Sequence, residues 1–404
     1  MAQKKQPAQL GLFARPAATL AVPAAIRTAL DAGAALALSL SGGKDSEALA
    51  RLLAPWFRAN GYAGQLFAIH ADLGRAEWAQ TPAVVQALAD ELGIPLVVVQ
   101  RSKGDLVDRI TERMTLTTQQ AATAAAAPVT VHPTYGLLQE QTQLITEEWE
   151  ITVSKIIDSP ADMPATEPAK AHYWPSAQNR YCTSHLKGGP IDQALRNPAH
   201  YWPSSAQRFC TSDLKRGPID TELRNFDVII SAEGVRADES AARAKKPAVE
   251  IRAAITASSL RELTPEQALA DRKPGQRVAL NWRPLLHHST AEIWEACGTS
   301  AADLARRQAL YQSGATAEAL AGWGSHPAYV LGNERLSCAL CVLGSKNDLV
   351  NGANHNPDTY GLYLELEVIG GSTFKHNESL FDLPVVGRAA EVRAEVLARH
   401  KPAA

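Results

Sequence analysis

Short apolar runs alternate with segments of helical periodicity along much of the chain. The apolar runs lie at 34–41, 65–72, 95–101 and 226–234. After the first run, the string KDSEALARLLAPWF carries its apolar residues at helical spacing. Apolar strands that alternate with helices predict a parallel sheet covered on both faces. We therefore expect a doubly wound, mainly parallel α/β fold of about five strands, with a helical part at the C-terminal end.

The alternation is interrupted once, between the third and the fourth run. We predict four regions: an N-terminal tail (1–30), an α/β domain (31–114 and 199–345), an insertion (115–198) and a helical C-terminal region (346–404). No apolar run reaches the length that spans a membrane, and no secretory signal is expected because Lys4 and Lys5 precede no apolar segment.

The predicted insertion ends in a repeated string. RYCTSHLKGGPID starts at Arg180 and RFCTSDLKRGPID at Arg208, and 171–197 agrees with 199–225 at 19 of 27 positions. This agreement indicates a tandem duplication. Only the second copy runs directly into an apolar strand, so we expect Cys210 to be the functional cysteine and Cys182 its redundant duplicate.

Composition narrows the class of protein. The chain has 404 residues, 20% charged residues, a net charge of −2 and five cysteines. The charge gives no general reason to expect nucleic acid, although a local basic groove would not show in it. Few cysteines, odd in number and partly spaced as C-x-x-C, favour a cytoplasmic metal, cluster or redox protein over a disulfide scaffold.

The string SGGKDS follows the first apolar run and opens the first predicted helix. Glycines let backbone N–H groups surround an anion, and the helix N-terminus adds its positive dipole end. Lys44 adds a charge, and Asp45 is a candidate Mg²⁺ ligand or helix cap. The alternative is a simple glycine turn with a capping side chain. The spacing differs from that of the Walker loop.

The hexapeptide resembles the PP-loop of the ATP pyrophosphatase superfamily. Further strings follow in the order seen in the phosphoadenosine phosphosulfate (PAPS) reductase family: HADLGRAEW, RFCTSDLK, EGVRADES, WRPLL and NERLSCALC. The resemblance implies a Rossmann-like fold that binds ATP or PAPS with Mg²⁺.

Residue by residue, the resemblance implies nucleotide contacts at Ser41, Gly42, Gly43, Lys44, Asp45, Ser46, Asp72, Gly74, Gly234, Arg236 and Ser240. Arg208 and Lys215 would add charge-assisted contacts to an anionic nucleotide, as Arg236 would. For Arg236 the alternative is a surface ion pair with Asp238 or Glu239. We assign catalytic roles to Lys44, Asp45, Cys210 and Arg236. Glu77 and Trp78 are candidates for packing and for ligand contact alike.

The cysteines give the chain its candidate metal site. Cys338-x-x-Cys341 alone fits zinc, an iron–sulfur cluster, a redox dithiol or two unligated packed thiols. With Cys210, or with Cys182 as its alternative, the spacing resembles PP-loop thiolation enzymes, in which three thiolates hold a [4Fe–4S] cluster; we prefer this cluster to Zn²⁺. We interpret Cys297 as a buried apolar residue.

Two departures from the reductases guide the functional prediction. No cysteine follows Cys341, where thioredoxin-dependent reductases carry a Glu-Cys-Gly-Leu-His tail, and Cys182 and Cys210 are each single rather than adjacent pairs. We therefore predict an ATP-dependent sulfur transferase that adenylates its acceptor and releases pyrophosphate. The alternatives are a PAPS or adenylyl-sulfate reductase with an external thiol donor and a non-catalytic nucleotide-binding adaptor.

A short motif in the N-terminal tail suggests a partner. Gln9, Leu12 and Phe13 lie in QLGLF, which resembles the peptide that docks bacterial DNA-associated proteins on the sliding clamp. The alternative is that Leu12 and Phe13 pack on the domain. Docking would favour a nucleic-acid acceptor, and DNA phosphorothioation proteins belong to the same family.

Overall fold

The structure is a computed structural model, and it describes residues 20–126, 201–375 and 378–400. The chain divides into two compact units. One comprises Met1–Thr111 with Trp202–Ala404, and the other comprises Glu112–Tyr201. The elements and contacts described below belong to the first unit, except for the end of one helix that continues past Thr111. The first copy of the repeat, Cys182 and residues 9–13 lie outside the described residues.

Within the described residues, one six-stranded sheet has the order β3-β2-β1-β4-β6-β5. The strands are β1 (Ala35–Ser39), β2 (Leu66–Ala71), β3 (Leu96–Val99), β4 (Val228–Ala232), β5 (Val249–Ile251) and β6 (Val278–Trp282). All neighbours are parallel except β5 and β6, which are antiparallel. The predicted α/β fold is confirmed, with one strand more than expected.

The helices of the first half are α1 (Ala24–Asp31), α2 (Lys44–Ala59), α3 (Thr81–Leu92), α4 (Leu106–Ala126), α5 (Phe209–Thr211), α6 (Gly217–Leu223), α7 (Ala241–Ala244) and α8 (Pro265–Ala270). Those of the second half are α9 (Thr290–Ala296), α10 (Ala301–Gln312), α11 (Thr316–Leu320), α12 (Lys346–His355), α13 (Pro357–Gly370) and α14 (Gly387–Arg399). None of the described helices is long and apolar enough to span a membrane.

Strand β1 is buried on both faces, as its continuous apolar sequence predicts. Leu36 and Leu38 belong to an apolar cluster that contains Leu53 of α2, whereas Ala35 and Ala37 belong to the cluster that contains Leu223 of α6. Helices therefore cover the sheet on both sides, and β1 and β4 lie at its centre. The carboxyl ends of β1, β2 and β4 meet at one edge, which is where open α/β sheets bind ligands.

Local signals set several helix ends. Helix α3 ends at Gly93, whose φ of 60° is left-handed and suits glycine. Ser289 and Glu292 form a capping box at the start of α9. Helix α4 continues to Ala126 and so includes the string TTQQAATAAA, which begins inside the predicted insertion.

Candidate functional site at the phosphate loop

The predicted phosphate loop connects β1 to α2 at the carboxyl edge of the sheet. Strand β1 ends at Ser39, and α2 begins at Lys44. Gly42 has a φ of 77°, and a Cβ atom there would lie 3.1 Å from Thr81 Cγ2. Both facts favour glycine at this position, because an added side chain would be strained and crowded. The loop is therefore built on a backbone conformation that the Gly-Gly string permits.

Hydrogen bonds fix the loop internally. The Ser41 N–H donates to Ser46 Oγ over 3.1 Å, and the Ser46 hydroxyl donates to the Gly43 carbonyl over 2.8 Å. The Lys44 N–H donates to the Tyr329 hydroxyl at 3.0 Å. The N–H groups of the first turn of a helix have no intrahelical acceptor, so those of Gly43 and Ser46 are natural donors to an anion.

Asp45 lies between two cations. Its carboxylate is 2.7 Å from Lys44 Nζ and 2.6 Å from Arg236 Nε. Arg236 is 4% exposed and also donates to Thr290 Oγ1 at 3.0 Å. Burial alone would lower the pKa of Arg236, but Asp45 and Asp238 raise it, so the guanidinium stays charged. Arg236 does pair with the exposed Asp238, but its own guanidinium is buried and also pairs with Asp45 of the loop.

This pairing bears on the predicted Mg²⁺ role of Asp45. A cation bound there would compete with Lys44 and Arg236 for the same carboxylate. We expect a nucleotide to draw both cations toward its phosphates, which would free Asp45 for a metal ion.

Gly234 follows β4 and touches the loop. A Cβ atom at this position would lie 2.7 Å from the Asp45 carbonyl oxygen. Real Cβ atoms do not approach backbone oxygens so closely, and the neighbour here is backbone rather than a flexible side chain. The motif EGVR therefore uses glycine to let the end of β4 approach α2.

A cavity of about 210 Å³ lies beside the loop. Five residues of the predicted site line it: Ser41, Ser46, Lys215, Gly234 and Cys338. A larger cavity of about 580 Å³ lies between α2, α3 and the segment after α11, and among the loop residues it reaches only Gly42. The smaller cavity is the candidate site because the loop, the carboxyl edge and a thiol meet there.

Nine predicted contact residues lie outside the described lining of that cavity: Gly42, Gly43, Lys44, Asp45, Asp72, Gly74, Arg208, Arg236 and Ser240. The Asp72 carboxylate accepts from the Gly74 N–H at 2.7 Å, and Ser240 accepts from the Arg243 N–H as the cap of α7. Arg208 is exposed. Nucleotide contacts for these residues stay predictions.

The second copy of the repeat forms a helix with an unusual middle. Helix α5 passes into a π-helix at Ser212–Arg216 and then into α6. π-Helical turns occur frequently at functional sites because they redirect side chains. Cys210 lies before this turn and Lys215 within it, and Lys215 reaches the cavity.

The thiols of Cys210, Cys338 and Cys341 are free and lie within electrostatic range of one another. Burial raises the pKa of Cys338 to about 12, Lys215 opposes that shift, and the neighbouring thiolates add to it. Among the described residues, however, no group of three or more His, Cys, Asp or Glu side chains is arranged to hold a metal ion. The predicted metal site at Cys210, Cys338 and Cys341 therefore stays a prediction.

Cys297 has the predicted structural role. It is 8% exposed, belongs to the main apolar cluster and donates to the Lys44 carbonyl oxygen over 3.3 Å. Burial raises the pKa of this thiol far above its usual value, so it packs as a neutral side chain.

Sequence reasoning did not single out His70 or Glu233, which also line the cavity, and it left Glu77 open. Glu233 lies 3.5 Å from Arg252 Nη1 and 3.4 Å from Arg283 Nε. The available signal was position, since His70 lies at the end of β2 and Glu233 directly follows β4. Trp78, the other open residue, is fully buried in an apolar cluster.

The loop between β1 and α2, on a parallel sheet of this order, defines a PP-loop nucleotide-binding protein. A family model of the PP-loop domain matches residues 19–124, and one of the phosphoadenosine phosphosulfate reductase domain matches residues 161–317. Over these residues the chain is similar to the PAPS reductase family within the PP-loop superfamily. No curated protein matches the chain in a sequence comparison.

At the level of the family, the function is sulfur or nucleotide transfer by an enzyme of the ATP pyrophosphatase or sulfonucleotide reductase kind. Binding of a nucleotide substrate follows from the PP-loop domain.

Proposed function

We propose that the protein is an ATP-dependent sulfur transferase. An oxygen of the acceptor attacks the α-phosphorus of ATP, and pyrophosphate leaves. A sulfur nucleophile then attacks the acceptor carbon that bears the adenylated oxygen, and AMP leaves with that oxygen.

One observation carries the proposal: a thiol and the phosphate loop share one cavity. Cys338 lines the cavity together with Ser41 and Ser46. A sulfur atom delivered there would meet an acceptor activated at the loop. Lys215, on the same wall, would offset negative charge on the incoming sulfur.

The charges of the cavity favour ATP over PAPS. Among its described lining residues, Lys215 is the one lysine or arginine, and Glu77 and Glu233 are acidic. The triphosphate of ATP can be held by the loop and the start of α2. PAPS carries a further phosphate on its ribose, which would call for a second cation in the cavity.

The residues of the loop have distinct roles in this reaction. Backbone N–H groups at the start of α2 hold the departing pyrophosphate and need not reorganise, which is the usual benefit of preorganised donors. Lys44 and Arg236 release the Asp45 carboxylate, bind phosphate oxygens instead, and offset the negative charge that develops on the phosphates. The proposed steps do not involve a metal cluster.

Pyrophosphate release from ATP, measured with candidate acceptors, tests the proposal. We expect Lys44→Ala and Ser46→Ala to lose at least about tenfold in this activity, since a charge-assisted contact contributes about 1.5–3 kcal/mol. Lys346→Ala changes an exposed lysine at the start of α12 and is the matched control. Sulfite released from PAPS would identify a reductase instead, and nucleotide binding without turnover would identify an adaptor.

We further propose a nucleic acid as the acceptor, on the resemblance of QLGLF to clamp-docking peptides. A pull-down with sliding clamp tests this, with a Leu12→Ala, Phe13→Ala double variant as the control. If the full-length protein shows no binding at about ten micromolar clamp, the proposed docking fails.

A further inference from the structure

His70 and Glu77 form a buried pair in the wall of the cavity that the proposed reaction does not use. His70 is 2% exposed at the end of β2, and Glu77 follows it in the loop before α3. Both residues line the cavity. His70 Nε2 and Glu77 Oε2 lie 3.4 Å apart, and both atoms are buried without a closer hydrogen-bond partner among the described residues.

The position of His70 fixes which of its nitrogens faces Glu77. His70 Nδ1 lies 2.9 Å from the Leu40 carbonyl oxygen, which can only accept, so Nδ1 carries a hydrogen. Nε2 is then the atom that faces Glu77. Burial lowers the pKa of His70, but Glu77 outweighs it and raises the pKa overall, which favours an imidazolium paired with a carboxylate.

Glu77 lines the same cavity as Ser41 and Ser46 of the phosphate loop. Strands β1 and β2 pair in parallel with Ser39 opposite Ile69, so the loop after β1 and the segment after β2 leave the same edge side by side. Neighbouring strands are about 4.8 Å apart. Asp72 directly follows β2, but its carboxylate accepts from the Gly74 N–H and from Gln100, and it is not among the described lining residues of the cavity. Glu77, six residues beyond β2, is the acidic side chain of this segment that lines the cavity. In dinucleotide-binding folds an acidic residue accepts hydrogen bonds from ribose hydroxyls while the loop after the first strand holds phosphate.

We propose that Glu77 binds the ribose hydroxyls of the nucleotide and excludes nucleotides that carry a 3′-phosphate, and that His70 is a positioning residue for Glu77. This inference rests on the proposed function in one respect: it takes ATP, with a free 3′-hydroxyl, as the nucleotide.

The selectivity follows from charge and hydrogen bonding. A carboxylate accepts readily from a hydroxyl, and a buried carboxylate left without that donor is costly. A phosphate in the same place brings two like charges together in a wall that water reaches poorly, and repulsion of this kind rejects a wrong ligand. His70 keeps Glu77 in place, since its other nitrogen is held by the backbone of Leu40.

The experiment compares nucleotides that differ only at the ribose. Dissociation constants of the wild-type protein are measured by calorimetry for AMP, adenosine 3′,5′-bisphosphate and 3′-deoxyadenosine 5′-monophosphate. We expect each of the last two to bind about tenfold more weakly than AMP. If the bisphosphate binds as tightly as AMP or more tightly, the exclusion is wrong; if the 3′-deoxy nucleotide binds like AMP, the ribose contact is wrong.

Variants then assign the effect to one side chain. Glu77→Gln should bring the bisphosphate to within about threefold of AMP, because the charge is gone. Glu233→Gln removes a charge from the same cavity, but at the end of β4 rather than on the segment after β2, and should keep the wild-type ratio. An equal effect of both variants would mean that the total negative charge of the cavity, and not Glu77 in particular, sets the selectivity, and it would overturn the role of Glu77.

His70→Gln should weaken AMP binding while the preference for AMP over the bisphosphate remains, because the charge of Glu77 is kept. Loss of that preference would contradict a positioning role. These affinity ratios do not depend on turnover, so absence of pyrophosphate release would refute the proposed function without touching the inference.

Discussion

At the scale of single residues, the Tyr329 hydroxyl holds the first turn of the phosphate-loop helix. It accepts the Lys44 N–H at 3.0 Å and is fully buried. We predict that Tyr329→Phe lowers the free energy of unfolding by about 1–3 kcal/mol, because a buried N–H loses its acceptor. Urea denaturation measures this change.

A matched tyrosine separates the hydroxyl from the ring. Tyr62 packs its ring against Trp56 and Phe57 and is partly exposed. Tyr62→Phe should therefore stay within about 0.5 kcal/mol of the wild type. Equal losses in the two variants would show that the contact with Lys44 does not stabilise the protein.

His326 makes stability depend on pH. Its Nδ1 accepts the Ala328 N–H, so Nε2 carries the hydrogen and donates to Thr81 Oγ1 at 3.2 Å. Burial lowers its pKa from 6.5 to about 4. As the pH falls, the unfolded chain therefore binds a proton at this residue before the folded protein does. The contribution of His326 to stability is fully present above pH 6.5 and is lost as the pH falls toward 4.

We predict that this residue accounts for up to about 3 kcal/mol of that loss. The free energy of unfolding is measured in urea at several pH values for the wild type and for His326→Asn. The variant should be less stable at neutral pH, and the difference should shrink as the pH falls, since other titrating groups are common to both proteins. A difference that stays constant would contradict the role of His326.

The sequence predicts a site residue best where all the residues that form that part of the site are neighbours in the chain. The loop from Ser41 to Ser46 could be predicted because glycines, hydroxyls and a helix start stand next to one another. Tyr329 could not, since its partner Lys44 lies 285 residues away. His70 could not either, because its role depends on which carbonyl and which carboxylate the fold brings to its two nitrogens.

At the scale of elements, the contact between the end of β4 and the start of α2 requires glycine. We predict that Gly234→Ala lowers nucleotide affinity at least about tenfold and costs about 1–3 kcal/mol of stability, because the added methyl group would meet the Asp45 carbonyl oxygen. Calorimetry with ATP and urea denaturation measure the two effects. Gly324→Ala is the control, since a Cβ atom there meets nothing within 4 Å; equal behaviour of both variants would refute the close approach.

The strands show what periodicity can predict. Runs such as LALS and VIIS are buried on both faces and read as strands without ambiguity. Strand β5 has only three residues, VEI, and β6 carries Asn281 and Trp282 beside a proline-containing motif, so neither stands out from its surroundings. Their existence depends on pairing with each other and with β4, which is a tertiary effect.

At the scale of the whole molecule, a nucleotide that binds only the folded state should stabilise it. ATP at a hundred times its dissociation constant should add about 2.7 kcal/mol to the free energy of unfolding. Urea denaturation with and without ATP measures this gain. We predict that Ser46→Ala loses at least about half of it at the same ATP concentration. Ser300→Ala, which removes an ordinary cap from α10, keeps it; a full gain in Ser46→Ala would contradict ATP binding at the loop.

The Ala339 N–H donates to the Ala76 carbonyl oxygen at 2.9 Å. This hydrogen bond joins the segment that carries Cys338 to the segment that carries Glu77. Ala76 precedes Glu77, and Ala339 follows Cys338. Binding equilibria are reciprocal. If a bound nucleotide changes the affinity of Cys338 for a reversible thiol ligand by some factor, that ligand changes the affinity of the protein for the nucleotide by the same factor. Any coupling between the Cys338 thiol and the nucleotide site can therefore be measured from either side, by titrating one ligand in the presence of the other.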